Sequence, residues 1–487
     1  MSSIDGTAVN VALPIMQREL HASAASVQWV VESYALFLSA LILIGGSLGD
    51  IFGRRLIFGG GIALFALASL ACALAPNVEV LIAARCVQGI GGALATPGSL
   101  ALIAANFSGE ARGRAIGTWS GATAITAVIG PVLGGGLVQL GSWRWVFIIN
   151  IPLAAAVLAM LAFRVDESHD TSAPREIDTL GALLATLGLG ALVYGLIRLQ
   201  GGALDRLGIA AVLAGAVALG LFLAVEARSS HPMVRLAYFR TRRFAAANLY
   251  TLLLYAALGG SLYFLPFDLI NVQHYPPSLA GAALLPMIGI MFVFARFSGG
   301  LVVRVGARAP LALGAVLAAL GFTIFSFAGV GHAYWMTFFP GAVILGFGGA
   351  CFVAPLTTTV MDALEPAHAG IASGVNNAVS RTAGLIAIAA LGIALAAVFN
   401  STLAQELARA RVSPAGRETI AGARAQIVAG HVPSGIANAR DRAVVGAAIA
   451  TAYADGFRVT MLVSALLALL AAPIALDRSF RRLPASR

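Results

Sequence analysis

The chain has 487 residues, of which 59% are hydrophobic and 11% charged, with a formal net charge of +10 and a mean hydropathy of +0.90. Soluble domains carry about 25% charged residues, so the composition excludes a soluble enzyme or soluble binding module and describes a polytopic membrane protein. All 31 basic residues are arginine. With the abundance of alanine and glycine, that usage suggests a bacterial genome rich in G and C, and the positive charge reflects topology rather than nucleic-acid binding.

A span needs about 20 apolar residues to cross the hydrocarbon layer. The first apolar stretch, "SSIDGTAVNVALPIM" (2–16), is too short: at about 1.5 Å per residue it reaches only about 22 Å. Full-length candidates follow near 27–49, 56–75, 79–105, 113–140, 144–163, 178–200, 207–227, 244–268, 278–302, 309–329, 335–361, 369–397 and 456–476. The expected fold class is therefore an all-α polytopic membrane protein of 14 spans, the first incomplete. The first stretch is expected to be the end of a longer helix, with Met1 an internal methionine. On that expectation Asp5 lies deep in the membrane. On the alternative, a true start at Met1, its carboxylate lies near the cytoplasmic headgroups.

Arginines orient the spans. Arg54, Arg55, Arg112, Arg114, Arg164, Arg175, Arg228, Arg235, Arg240, Arg242, Arg243, Arg304, Arg308 and the tail from Arg478 to Arg487 fall on one side. The opposite short loops hold only Arg18, Arg144, Arg198 and Arg206. Positive-inside bias makes the richer side cytoplasmic, with both termini inside in the full-length form. The long loop 398–455 is expected outside, built of short helices.

The three cysteines (Cys72, Cys86, Cys351) lie in apolar runs and imply no disulfide framework, and the seven histidines show no ligand spacing, so no metal site is expected. No phosphate loop of the GxxxxGK[ST] type occurs, so ATP drive is not expected.

The sequence also repeats itself. "GSLGDIFGRRL" (46–56) matches "GGLVVRVGARA" (299–309), with Gly46, Leu48, Gly53 and Arg55 recurring as Gly299, Leu301, Gly306 and Arg308. "GIGGA" (89–93) recurs as "GFGGA" (346–350), and Gly113, Ala115, Gly117 and Gly121 fall on Gly370, Ala372, Gly374 and Ala378. Two patterns in register argue for two homologous halves, the plan of a transporter with a central site. The expected domains are an N-terminal six-helix half (1–163), a linker with two extra transmembrane helices (164–243), and a C-terminal six-helix half (244–487).

These motifs carry a family resemblance. "SIDGTAVNVALP", "GSLGDIFGRR", "LIAARCVQGIGGA", "GPVLGG" (130–135), "SWRWVFIINIP" and "HPMVRLAYFRTRRFAAAN" together resemble the major facilitator superfamily, in its 14-span drug:proton antiporter branch. The likeness covers essentially the whole chain. It implies two six-helix halves plus two central helices, alternating access, and a proton gradient in place of any cofactor.

Site residues follow from both sources. Gly46, Gly49 and Gly53 permit close approach of helix ends and a tight turn, where Asp50, Arg54 and Arg55 can form a charge network. The resemblance implies that this network gates the cycle; arginines at a cytoplasmic loop also fit topology alone. Asp50 has no counterpart in the second half, where Val303 stands. Arg85 and Gln88 lie within the fourth span, and an ionisable group there is a functional hypothesis by default. The resemblance implies proton coupling for Arg85; a structural hydrogen-bonding role is the other reading. Gly130, Pro131, Gly134 and Gly135 fit either a functional kink implied by the resemblance or generic close packing.

Three acids, Asp5, Glu32 and Asp268, are placed at membrane depth, with Asp268 expected at the outer interface. A carboxylate such as Glu32 in a low-dielectric cavity can exchange protons near neutral pH or pair with a cation. Trp29, Tyr34, Trp119, Tyr255 and Phe264 can line a pocket, although helix aromatics more often face lipid or core.

The expected function is proton-coupled export of small amphipathic or cationic compounds, that is drug efflux, across the bacterial inner membrane, with no catalysis. The expected partners are substrate, protons and lipid, without nucleic acid; the chain is read as monomeric, with envelope proteins as further candidates. Export of one specific metabolite or antibiotic is the alternative, and a non-transporting scaffold or sensor is the alternative from another class.

Overall fold

The computed structural model describes residues 1–107, 126, 129–168, 178–200, 205–230, 232–294, 306–331, 334–364, 369–410 and 438–480. Among them the long elements are all helices. In chain order these are α1 (Ser2–Glu19), α2 (Ala24–Phe52), α3 (Arg54–Leu74), α4 (Val78–Asn106), α5 (Ile129–Leu140), α6 (Trp145–Arg164) and α7 (Thr179–Leu199). They continue with α8 (Arg206–Glu226), α9 (Arg242–Phe267), α10 (Pro277–Phe294), α11 (Arg308–Phe325), α12 (Phe338–Met361), α13 (Ala369–Arg409) and α14 (Ala439–Ala475). All but α1 and α5 are long and apolar enough to cross a membrane, which makes 12 candidate spans among the described residues.

Side chains at the starts of several helices accept their free backbone N–H groups. Ser23 accepts from Ser26 at 3.0 Å and Asn77 from Val80 at 2.9 Å. Asp178 and Asp205 do the same for α7 and α8. Between the caps the apolar surface turns outward: Leu207, Leu213, Val217 and Leu221 of α8 are all exposed. In water such a face is a liability, whereas lipid solvates it.

The repeat seen in the sequence is also a repeat in packing. A methyl on Gly61 of α3 would lie 2.9 Å from the carbonyl oxygen of Gly91 in α4, and one on Gly314 of α11 would lie 3.0 Å from that of Gly348 in α12. Gly89 approaches the Tyr34 carbonyl as Gly346 approaches that of Met287, each at 2.6 Å for an added methyl. Small residues let membrane helices pack at this range, where dispersion and backbone contact replace the hydrophobic effect.

The halves meet where α5 lies against α10 and α2 lies along α13. The inserted helix α7 packs on both α2 and α13, so it touches both halves. Beyond expectation, α13 continues to Arg409 and α14 begins at Ala439, well inside the loop expected at 398–455. Phe399, Leu403, Val445, Ala448, Ile449 and Ala452 form a separate core between these extensions. Each helix thus gains an apolar partner, and helix persists where short separate helices were expected. The repeat positions Gly113 to Gly121, the Gly299–Arg304 stretch, Trp119, Arg112, Arg114, Arg175, the arginines from Arg481 on and the centre of the long loop lie outside the described residues.

Candidate functional site

Five helices of the N-terminal half converge on one buried polar cluster. Arg85 and Gln88 are three residues apart on α4 and therefore share a face. Arg85 Nη1 donates to Asp5 Oδ2 at 2.5 Å and to Gln88 Oε1 at 2.6 Å. Gln88 Nε2 donates to Asp5 Oδ1 at 3.1 Å and to Ser69 Oγ of α3 at 2.7 Å. Asn150 of α6 adds a donor to Asp5 Oδ1 at 3.3 Å. Arg85 Nε reaches the Val30 carbonyl of α2 at 2.9 Å, and the guanidinium carbon sits 4.2 Å from the centre of the Tyr34 ring. Asp5 and Arg85 are each about 1% exposed. Asp5 is therefore buried among the helices and paired with Arg85. A buried pair holds only when further hydrogen bonds satisfy the remaining donors and lone pairs, which Gln88, Asn150 and the Val30 carbonyl supply, with Ser69 holding Gln88 in place.

Glu32 is different. It is fully buried on α2. Its Oε1 accepts one long hydrogen bond, 3.4 Å, from Gln28 one turn earlier, and Oε2 has no partner among the described residues. Gln28 is in turn held by Gln200, just past the end of α7, at 2.9 Å, and Gln200 also donates to the Ala389 carbonyl of α13 at 3.3 Å. Glu32 is thus a buried carboxylate with no counter-ion among the described residues, next to a bridge between the two halves.

Asp268 departs from expectation. The side chain, expected at the outer interface, is covered by protein: it is fully buried at the start of a π-helical turn, Asp268–Val272, that continues α9 at the end of its span. The turn packs against α14.

The charged loop between α2 and α3 is realised in part. Arg54 Nη2, at the start of α3, and Asp50 Oδ1, near the end of α2, pair at 2.8 Å across the Gly53 turn. Arg55 instead donates to the Ala162 carbonyl of α6 at 3.1 Å. The backbone N–H groups of Arg55 and Leu56, at the start of α3, donate to the Glu167 carboxylate at 2.9 and 3.0 Å. An acid at a helix N-terminus meets free N–H groups and the positive end of the helix dipole. Gly53, at φ 118°, makes the turn that exposes them. Gly46 and Gly49 leave room at the α2 end without tight contacts: an added methyl would lie 3.6 Å from Pro97 at Gly46 and 3.9 Å from Arg54 at Gly49.

The Gly130–Gly135 stretch works by close packing. Gly130 faces Thr7 of α1, and a methyl on Gly134 would stand 2.7 Å from the Ala8 backbone. Gly135 meets the Pro277 carbonyl of α10, and Gly281 of α10 meets the Pro131 carbonyl in return. α5 is therefore wedged between α1 and the opposite half.

Sequence reasoning missed Ser69, Asn150, Glu167, Gln28 and Gln200. Asn150 and Gln28 each left a signal, a lone amide inside an apolar run, and Gln28 stands four residues before Glu32. Gln200 and Glu167 left none, since loops at span ends are polar anyway.

The chain is 37% identical over 423 residues to multidrug resistance protein Stp of Mycobacterium tuberculosis, covering 86% of this chain and 78% of that one. It is 32% identical to the tetracenomycin C resistance and export protein of Streptomyces glaucescens, covering 98% and 89% of the two chains. Among solved structures, a bacterial homolog of the human lysosomal transporter Spinster shares the fold at a TM-score of 0.63 and 17% identity, over 99% of this chain and 96% of that one. The family model for the Major Facilitator Superfamily matches residues 1–388, and with relatives of 37% and 32% identity over most of its length the chain belongs to the Major Facilitator Superfamily.

Proposed function

We propose that this chain exports small amphipathic or cationic compounds across the bacterial inner membrane in exchange for protons, by alternating access. The observation that carries the reading is Glu32: a fully buried carboxylate without a counter-ion among the described residues, beside a bridge between the halves. Such a group binds either a proton or a cation, and the two compete. In the same half the Asp5–Arg85 pair is internally neutral and serves to hold five helices in register around the site. The similarity to drug and antibiotic resistance proteins supports the substrate class.

In this reading the chain forms 14 spans with α1 and α5 completing the twelve, both termini are cytoplasmic, and the α5–α10 junction seals the outer side. Glu32 takes a proton from outside, the halves rock, the proton leaves inward, and a cationic or amphipathic compound takes its place for the outward stroke. No cofactor, catalytic step or metal enters; the unit is a monomer in lipid, and envelope partners remain open to association. A narrower second reading, export of one antibiotic, is supported by the tetracenomycin relative, whose own name records resistance and export.

Proteoliposomes with an imposed pH gradient and a trapped pH dye test it. Addition of an exported cation should release protons in the wild type and not in Glu32→Gln, which should still insert. Cation export with no proton movement in the wild type would overturn the proposal. A panel of cations separates the broad from the narrow reading.

A further inference from the structure

We infer that Asp268 and Gln273 form a second cation site, in the C-terminal half, that takes the N–H-bearing ammonium group of a lipophilic amine. This deepens the export reading and rests on it. Asp268 is fully buried, its Oδ2 accepts from Gln273 Nε2 at 3.3 Å, and its Oδ1 has no partner among the described residues. Gln273 is oriented by a 2.7 Å bond from the same Nε2 to the Gly329 carbonyl, which leaves its Oε1 unpartnered among the described residues as well. Two acceptor oxygens thus lie without a donor among the described residues, on side chains joined by that 3.3 Å bond. A buried acceptor without a donor is costly, and a π-helical turn inside a helix commonly marks a functional site.

The surroundings match the body of an aromatic or alkyl ammonium. Phe264 lies one turn before Asp268 on the same face, and Tyr263 packs edge-on against it with centroids 4.8 Å apart. Phe267 lies 5.6 Å from Tyr263 between ring centroids. From α14, the Tyr453 hydroxyl donates to the Phe264 carbonyl at 3.4 Å, the same carbonyl that the Asp268 N–H bonds. Ring faces attract a nearby cation. The site is buried beneath α14 in this conformation, so an amine reaches it only when that cover shifts.

Calorimetry on the purified full chain tests the assignment with naphthylethylammonium and its neutral N-acetyl derivative as probes. Asp268→Asn should weaken the ammonium by about tenfold or more, the scale of one lost charge-assisted hydrogen bond, and leave the neutral probe unchanged. Asp268→Glu should recover part of the loss, and Gln273→Leu should weaken the ammonium less. If Asp268→Asn does not yield monodisperse protein, Gln273→Leu decides the question by the same comparison. Wild-type ammonium affinity in Asp268→Asn, or equal loss of both probes, overturns the site. If the wild type meanwhile exports cations against protons in liposomes, only the Asp268 site falls. A wild type that neither binds the ammonium nor exports cations overturns both.

Discussion

Replacing Arg85 by methionine keeps the volume of the side chain and removes its charge. Asp5 would then remain fully buried with only Gln88 and Asn150 donating to it, at 3.1 and 3.3 Å. The Val30 carbonyl and Gln88 Oε1 would each lose the bond from Arg85, and Tyr34 its cation. Removing one partner of a buried pair costs about 3–5 kcal/mol. In a micelle the unfolded helices find substitute partners, which favours the lower end of that range. Asp5→Leu alone should cost a similar amount, since it strands Arg85. The double variant Asp5→Leu/Arg85→Met carries no stranded charge and should recover at least about 2 kcal/mol of the summed loss, within the range for residues in one network. Reversible unfolding by SDS titration in mixed micelles measures all four corners of the cycle. Single variants that each cost under about 1 kcal/mol, with additive double-variant behaviour, would refute the view that this pair holds the helices together.

Three smaller expectations rest on other parts of the structure. Gly134→Val should loosen the α1–α5 junction and lower the melting temperature, because the Ala8 backbone is in the way, while Gly136→Ala, which points into open space, should not; a scanning-fluorimetry comparison of the two decides. Asp50→Asn removes the exposed pair with Arg54, which as a surface interaction contributes about 0–1 kcal/mol. Stability should therefore hold while turnover per bound substrate slows, and a loss of binding without loss of turnover would contradict a gating role. The Asp477 carboxylate, beyond the end of α14, is drawn down to about 2, first by the Ser479 backbone N–H and then by Arg242 at 2.6 Å. Its contribution to the α9–tail contact is complete above the ordinary carboxylate range and is lost as pH falls through about 2. Hydrogen exchange at Ser479 should rise over that acid range, and a flat profile would count against the contact.

Much of this protein was legible in the chain because lipid imposes a local rule. Every backbone polar group must be satisfied within the segment, so apolar length alone marks the helices, and an Arg85 or Glu32 inside one stands out. The internal repeat was legible for a related reason: the glycines that let α3 meet α4 and α11 meet α12 are set by close contact and recur in both halves. Pairing was not legible. Nothing in the order of residues says that Arg85 finds an acid 80 positions away, that Asn150 completes that acid's shell, or that Glu167 takes the α3 N-terminus. Nor does a hydropathy window reveal that Asp268, at the end of its apolar run, is buried in a turn that packs against α14. Hydropathy reports how a segment meets lipid, whereas the fate of a buried charge depends on which other helix carries its partner, and only the packed bundle brings those side chains within hydrogen-bonding distance.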